Sequence, residues 1–366
     1  MIELVNYIKE NGLEKLLSEF KIKATYSEKH PQLVCLKYNQ VESPLKEKVA
    51  QQCRGIILDT ADDWKIVSRS YDKFFNYGEG DGTTCYHDRL DWNSARVYEK
   101  LDGSLLTLYP YKGEWLVQSS SNPDASGMVN GSGISFAELF WEVWREKGYK
   151  LPKQGPVDYC YMFELITKRN KIVVPYAENR LILHGVRCLT SGHELFVDDE
   201  IVDSFMLGYE RVERLWMYGW DSVLISSKNL PVNEGEGYVV CDRQFNRIKV
   251  KSPTYCAMHH LKGTMSPTRL LQVVMLNENL EFLAYFPEMA AEIEGLRSKY
   301  SYLVDRIEKT WLDIKDIENQ KDFAMKAKDL EFSAILFQLR KTPTESVTSV
   351  LSKQRVELVQ KMLPEG

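Results

Sequence analysis

From about Pro267 to the C-terminus the chain carries no strand signal, whereas most of the sequence before it does. Ile293, Leu296, Tyr300, Leu303 and Ile307 recur at spacings of three and four, the period of a buried helix face. They follow Pro287, a residue suited to a first helical turn. Helical patterns over 321–328, 332–340 and 344–362 complete that region. Upstream, strand-like runs at 33–38, 52–59, 64–70, 161–166 and 181–187 are separated by polar or glycine-rich loops such as 81–92 and 127–133. Helical periods there are confined to 2–20, 136–147 and 204–218. A chain divided in this way is restricted to an α+β architecture. We expect an antiparallel-sheet domain over residues 1–262 and an all-helical domain over 263–366.

A length of 366 residues suffices for about two domains with separate cores. No apolar run is long enough to span a bilayer, and the N-terminus carries Glu3 where a secretion signal would be basic and then apolar. Seven scattered cysteines with no Cys-x-x-Cys pair suit reduced thiols, so a cytoplasmic protein is expected rather than a disulfide scaffold or a zinc site. The net charge of −5 excludes a protein that coats nucleic acid indiscriminately, but a basic groove can sit on an acidic body. Basic clusters occur at 168–171 and 243–251. The adjacent His259 and His260 point in different directions on a helix and cannot face one ion together.

Within the N-terminal part, a strand over 95–99 delivers Lys100 to a turn, Leu101-Asp102-Gly103, and a second strand over 104–109 leaves it toward a hairpin partner at 114–118. A lysine that is desolvated and crowded by cations becomes an amine nucleophile. Gly103 lets a phosphate or base approach the backbone, and Asp102 is a ready acceptor. As an isolated pattern Lys-x-Asp-Gly is commonly a plain turn, so the company it keeps decides its meaning. That company is Arg54-Gly55, Lys73-Phe74-Phe75-Asn76, an apolar strand holding Glu164, Glu236-Gly237-Tyr238-Val239 and Lys249-x-Lys251, in that order. On the last strand Lys249 and Lys251 alternate with Ile248 and Val250, which puts both lysines on one face.

The ordered set resembles the covalent nucleotidyltransferase superfamily of ATP-dependent ligases and capping enzymes. Within it the chain most resembles the phage-type RNA ligase 1 family, through Cys53-Arg54-Gly55-Ile56, Ser68-Arg69 with Lys73-Phe74-Phe75-Asn76, Asn170-Lys171-Ile172-Val173, and Lys249-Val250-Lys251-Ser252 with Tyr255. The resemblance implies a nucleotidyltransferase (adenylation) domain followed by a helical domain that helps choose the RNA. It implies that Lys100 attacks ATP to give a lysyl-N–AMP adduct and pyrophosphate. Lys249 and Lys251 then flank the α-phosphate and depress the Lys100 pKa, while Arg54 and Lys73 hold the β- and γ-phosphates. Glu164 contacts the AMP ribose, and Glu236, favoured over Glu234, holds Mg2+ or Mn2+ through water. Asp102 assists Lys100 or the AMP end, and Tyr255 belongs to the site. The implied substrate is RNA with 3′-hydroxyl and 5′-phosphate ends, such as a cleaved tRNA. In the absence of a kinase-type phosphate loop, end healing falls to a separate kinase and phosphatase. The family's frequent lysine after the nucleophile hairpin is missing at Ser119-Ser120. A DNA ligase or GTP-using capping enzyme is the competing chemistry, and a silent RNA-binding module the competing class. The oligomeric state is not readable.

Overall fold

The computed structural model describes residues 2–80, 83–129, 132–153, 158–203, 208–256 and 267–364. The His259-His260 pair and the expected 262/263 boundary lie outside them. The chain divides into two compact units, one of Met1–Asn39 with Ser43–His259 and one of Gln40–Glu42 with His260–Gly366.

The described residues of the first unit hold three sheets. β1 (Ile22–Tyr26), β2 (Leu33–Tyr38), β3 (Arg54–Asp59) and β4 (Lys65–Ser68) form an antiparallel sheet in sequential order. The expected helix over 2–20 packs on it but is two helices, Glu3–Asn11 and Leu13–Glu19, divided at Gly12, whose φ of 85° leaves the helical region. Leu4, Val5, Ile8 and Leu16 close the core on that face.

The remaining strands are β5 (Phe75–Asn76), β6 (Arg96–Lys100), β7 (Ser104–Tyr111), β8 (Glu114–Ser119), β9 (Tyr159–Ile166), β10 (Arg180–Cys188), β11 (Glu194–Leu195), β12 (Arg214–Leu215), β13 (Gly237–Cys241) and β14 (Arg247–Lys251). They make two five-stranded sheets, ordered β11-β10-β9-β7-β8 and β12-β6-β13-β14-β5. The turn Leu101-Asp102-Gly103 therefore carries the chain from one sheet into the other, leaving Lys100 at the corner between them. The first of these sheets is backed by the helix Phe136–Glu146, started by a reciprocal Ser135–Glu138 capping box. That helix buries Leu139, Phe140, Val143 and Trp144 against Phe163 and its neighbours. Each such side chain contributes about 1.5–3 kcal/mol of burial.

The helix expected over 204–218 is not found among its described residues. Residues 208–218 are extended: Val212 N–H donates to Leu183 O, and β12 adds to the edge of β6. Sheet pairing overrides the helical period, and the helix comes later, at Gly219–Asn229, packing Val223 on the β13 and β14 face.

Helices are the regular structure of the second unit, which holds no strand among its described residues. Its longest helix, Ala290–Ile314, follows a 3-10 turn begun by Pro287 and buries Ile293, Tyr300, Leu303 and Ile307. Shorter helices at Pro267–Met275, Asn279–Tyr285, Gln320–Ala327, Ser333–Lys341, Val347–Ser352 and Val356–Met362 surround it in sequence. The last two replace the single helix expected over 344–362. No helix among the described residues is long and apolar enough to cross a membrane.

Candidate active site

Strand register assembles the site. Lys100 on β6 and Lys251 on β14 stand directly opposite Gly237 on β13, and Tyr98 and Lys249 stand opposite Val239 one step along. Directly opposed residues share a face, and so do residues two apart on a strand. Lys100, Lys249 and Lys251 therefore project from one surface. Gly237 permits this spacing: its φ is 147°, and a Cβ there would lie 2.1 Å from the Val250 carbonyl oxygen. β14 also runs parallel to β5, so Lys249 is abreast of Asn76 and brings the Lys73-Phe74-Phe75 segment to the lysine pair.

Glu236 is the counterweight. It is 4% exposed; its carboxylate accepts from Lys100 Nζ at 2.5 Å and faces Lys251 Nζ at 3.4 Å. Burial pushes its carboxyl upward, but Lys100, Lys251 and Lys249 together outweigh burial and hold it below the usual carboxylate range. Lys100 is thus not merely crowded by cations, as its sequence context suggested. It is ion-paired to a buried carboxylate. Glu234, the alternative, is exposed.

The Asp102 carboxylate is committed internally. One oxygen accepts from the Val173 and Val174 N–H groups at 2.8 and 2.7 Å, the other from the Tyr255 hydroxyl at 2.7 Å, and Asp102 is 3% exposed. Burial, with Glu236 and Asp102 adding to it, raises the Tyr255 hydroxyl well above its usual range, which keeps it a donor. Asp102 and Tyr255 therefore lock the turn that carries Lys100 rather than facing a ligand. Asn170 completes the lock: its Nδ2 donates to Leu165 O and Ser104 Oγ, and its Oδ1 accepts from Thr167. Gly103 is pressed so close that a Cβ there would sit 2.5 Å from Leu165 O and 3.0 Å from Glu164 Cγ.

Lys100, Gly103, Glu164 and Arg54 line one cavity of about 280 Å³, together with Phe74, Tyr98 and His184. That is near the lower end, roughly 300 Å³, of small-molecule sites. Glu164 has no bond to Arg169, which is taken by Glu142; it faces His184 Nε2 at 3.4 Å. The Tyr71 hydroxyl, 2.9 Å from His184 Nδ1 and 2.8 Å from its carbonyl oxygen, fixes that ring. Sequence reasoning missed His184 and Tyr71; only Tyr71's place in the aromatic run before Lys73 hinted at it. Arg54 stacks on Phe74 at 5.1 Å and has a buried Nη1 with no hydrogen-bond partner among the described residues, while Lys73 lies 5.1 Å over Phe75. Lys37, also missed, pairs with Arg54 in the β2–β3 register; burial, then Arg54, push its ammonium down to about 8, with Cys35 opposing and Lys73 adding a little.

The donor set suits a hard divalent cation. Glu236 offers one carboxylate beside the lysines, and Mg2+ characteristically takes one or two carboxylates, keeps several waters and completes its shell with phosphate. Among the described residues a three-ligand grouping occurs at Cys85, His87 and Asp88 instead, in the turn before β6.

An RNA ligase family model matches residues 52–255, which span β3 to Tyr255 and contain every element just described except Lys37. The chain belongs to the RNA ligase family. Among relatives of this family member, an RNA ligase of Rhodothermus phage RM378 is 28% identical, over 73% of each chain. A protein of Autographa californica nuclear polyhedrosis virus, whose name proposes a bifunctional polynucleotide kinase/RNA ligase, is 25% identical over 96% of this chain and 51% of its own length. The chain thus spans about half of that relative. A solved archaeal ATP-dependent RNA ligase aligns over 83% of each chain at 14% identity, with a TM-score of 0.46.

Proposed function

We propose that the protein is an ATP-dependent RNA ligase that joins 3′-hydroxyl to 5′-phosphate RNA ends through an enzyme–AMP adduct on Lys100. The observation that carries this reading is the row Lys100, Lys249 and Lys251 gathered on one strand face around the buried Glu236. With its proton released to solvent, Lys100 forms a bond from its nitrogen to the α-phosphorus of ATP as the bond to pyrophosphate breaks. Lys249 and Lys251 take up the charge that develops on the α-phosphate. Arg54 and Lys73 hold the departing pyrophosphate, and Glu164 accepts a hydrogen bond from the ribose. Glu236 would hold a magnesium ion through water, and the ion would further neutralise phosphate charge.

In the second step an RNA 5′-phosphate oxygen attacks the adduct's phosphorus. The Lys100 nitrogen leaves with its bonding electrons and is reprotonated, giving an RNA capped by AMP through a pyrophosphate. In the third, a 3′-hydroxyl oxygen attacks the RNA 5′-phosphorus, forms the phosphodiester and releases AMP. Asp102 and Tyr255 act as positioning residues that hold the Lys100 turn. Repair of broken RNA, cleaved tRNA included, is the use that fits these ends, with healing of unsuitable ends left to a kinase and phosphatase. The second unit serves substrate choice. Seven free thiols support a reducing, cytoplasmic setting.

The test is incubation with α-labelled ATP or GTP and magnesium. We expect acid-labile, base-stable label from ATP that disappears in Lys100→Ala. Label from GTP alone would identify a capping-type enzyme, and no label from either would leave a silent RNA-binding module.

A further inference from the structure

A second cavity, of about 370 Å³, adjoins the one that holds Lys100, and Phe74 and Arg247 line both. Its wall carries six lysine and arginine side chains but two carboxylates, Asp72 and Glu194. Both acids are already engaged: Asp72 by Arg69 at 2.8 Å, and Glu194 by Arg187 and Arg247 together. Lys48 reaches Asp72 at 3.9 Å, outside hydrogen-bonding distance. Among the described residues that line it, cations outnumber carboxylates six to two. Inside it the Phe75 and Tyr86 rings stack at 3.9 Å and 22°, with Lys73 5.1 Å from the Phe75 ring and Arg89 5.1 Å from the Tyr86 ring. Cations interleaved with aromatic rings are the surface that single-stranded nucleic acid needs, phosphates against charge and bases against rings.

Stereochemistry ties this cavity to one end of the RNA. If Lys100 attacks the α-phosphorus in line, pyrophosphate departs opposite the lysine. If the RNA phosphate then displaces that lysine in line, it must arrive at the same position. Lys73, which borders this cavity, is thus adjacent first to the leaving pyrophosphate and then to the incoming phosphate. Pyrophosphate alone has no use for an aromatic stack or for cations as far out as Lys48 and Arg89.

We propose that the second cavity receives the 5′-phosphate end of single-stranded RNA, with Lys73 at the terminal phosphate, Lys48 and Arg89 on the phosphates behind it, and the Phe75–Tyr86 stack beside the first bases. The assignment rests on the ligase reading, and the experiment separates the two. Wild-type full-length protein, Lys48→Ala, Arg89→Ala and the double variant are compared in three assays. These are self-labelling with α-labelled ATP, transfer of AMP from preformed enzyme–AMP to a 5′-phosphorylated single-stranded oligoribonucleotide at several salt concentrations, and reversal by inorganic pyrophosphate. Both side chains are exposed, so folding is not at issue.

The expected result is self-labelling and pyrophosphate reversal within twofold of wild type, with the KM for RNA raised roughly tenfold in the double variant. The slope of log affinity against log salt should fall by about 0.7 for each cation removed. Pyrophosphate should compete with the RNA. An unchanged KM and salt slope would overturn the assignment. So would equal losses in self-labelling and reversal, which would make the cavity a polyphosphate site only. Wild-type protein that takes no label at all would instead remove the ligase reading, and this assignment with it.

Discussion

Replacing Glu236 by glutamine tests whether the site is held as a buried charge cluster. The substitution keeps the shape but removes the negative charge that faces Lys100 at 2.5 Å and Lys251 at 3.4 Å. Removing one partner of a buried ion pair costs about 3–5 kcal/mol, most of it the penalty on the charge left behind. The lysine side chains retain 20% and 12% exposure, and glutamine still offers an acceptor, so the low end, about 3 kcal/mol, applies. The sign of the pH dependence follows from Glu236 lying below its ordinary value of 4.5. Its stabilisation is fully present above about pH 4.5 and is lost as pH falls through the lowered folded-state value. The stability gap between wild type and Glu236→Gln should therefore be widest at neutral pH and shrink in acid. Denaturant unfolding followed by tryptophan fluorescence measures this, because all tryptophans but Trp311 lie in the first unit. A double-mutant cycle with Lys100→Met should give a coupling of about 1–3 kcal/mol. Self-labelling should slow roughly 100-fold or more. A variant as stable as wild type at pH 7, with coupling under about 0.5 kcal/mol, would refute the buried-cluster reasoning.

Three further outcomes follow from the same geometry. Gly237→Ala should lose at least about 1–3 kcal/mol from backbone strain alone, because its Cβ would meet the Val250 carbonyl. A melting temperature unchanged from wild type would show that β13 can move. Tyr255→Phe should cost about 1 kcal/mol and Asp102→Asn about 1–3 kcal/mol, since the amide keeps one oxygen for the Val173 and Val174 N–H groups but loses the charged acceptor to which the Tyr255 hydroxyl donates. Both are read by unfolding, and self-labelling should fall with the turn's rigidity. Lys249→Ala and Lys251→Ala should sharply reduce self-labelling while circular dichroism stays native; undiminished labelling in both would remove those lysines from the site.

What could be read directly from the sequence was whatever a short period or a local signal encodes. The helix at Phe136–Glu146 was legible in its apolar period over 136–147, and the β7–β8 hairpin in two strand-like runs at 104–109 and 114–118. Lys100, Glu236, Lys249 and Lys251 were found as an ordered set, but their distances were not. What stayed hidden depends on partners remote in the chain. Asp102 and Tyr255 are 153 residues apart, and no spacing rule connects them. His184 looks like any histidine on a strand until Tyr71, 113 residues earlier, turns it toward Glu164. Residues 208–218 carry a helical period that sheet pairing overrides. Lys37 sits on an ordinary strand, and only its pairing with Arg54 marks it.

The strand that ends in Lys100 has both of its lateral neighbours, β12 and β13, downstream of it in the chain. As the polypeptide emerges from a ribosome, Arg54, Lys73 and Lys100 are all present more than a hundred residues before β13 and β14 are made. Until then that strand has only the two-residue β12 to pair with, and Lys100 lacks the Glu236 carboxylate and the Lys249 and Lys251 side chains beside it. On the proposed chemistry, a nascent or prematurely terminated chain should take no label from ATP, and labelling would report that the last strands have been synthesised and docked.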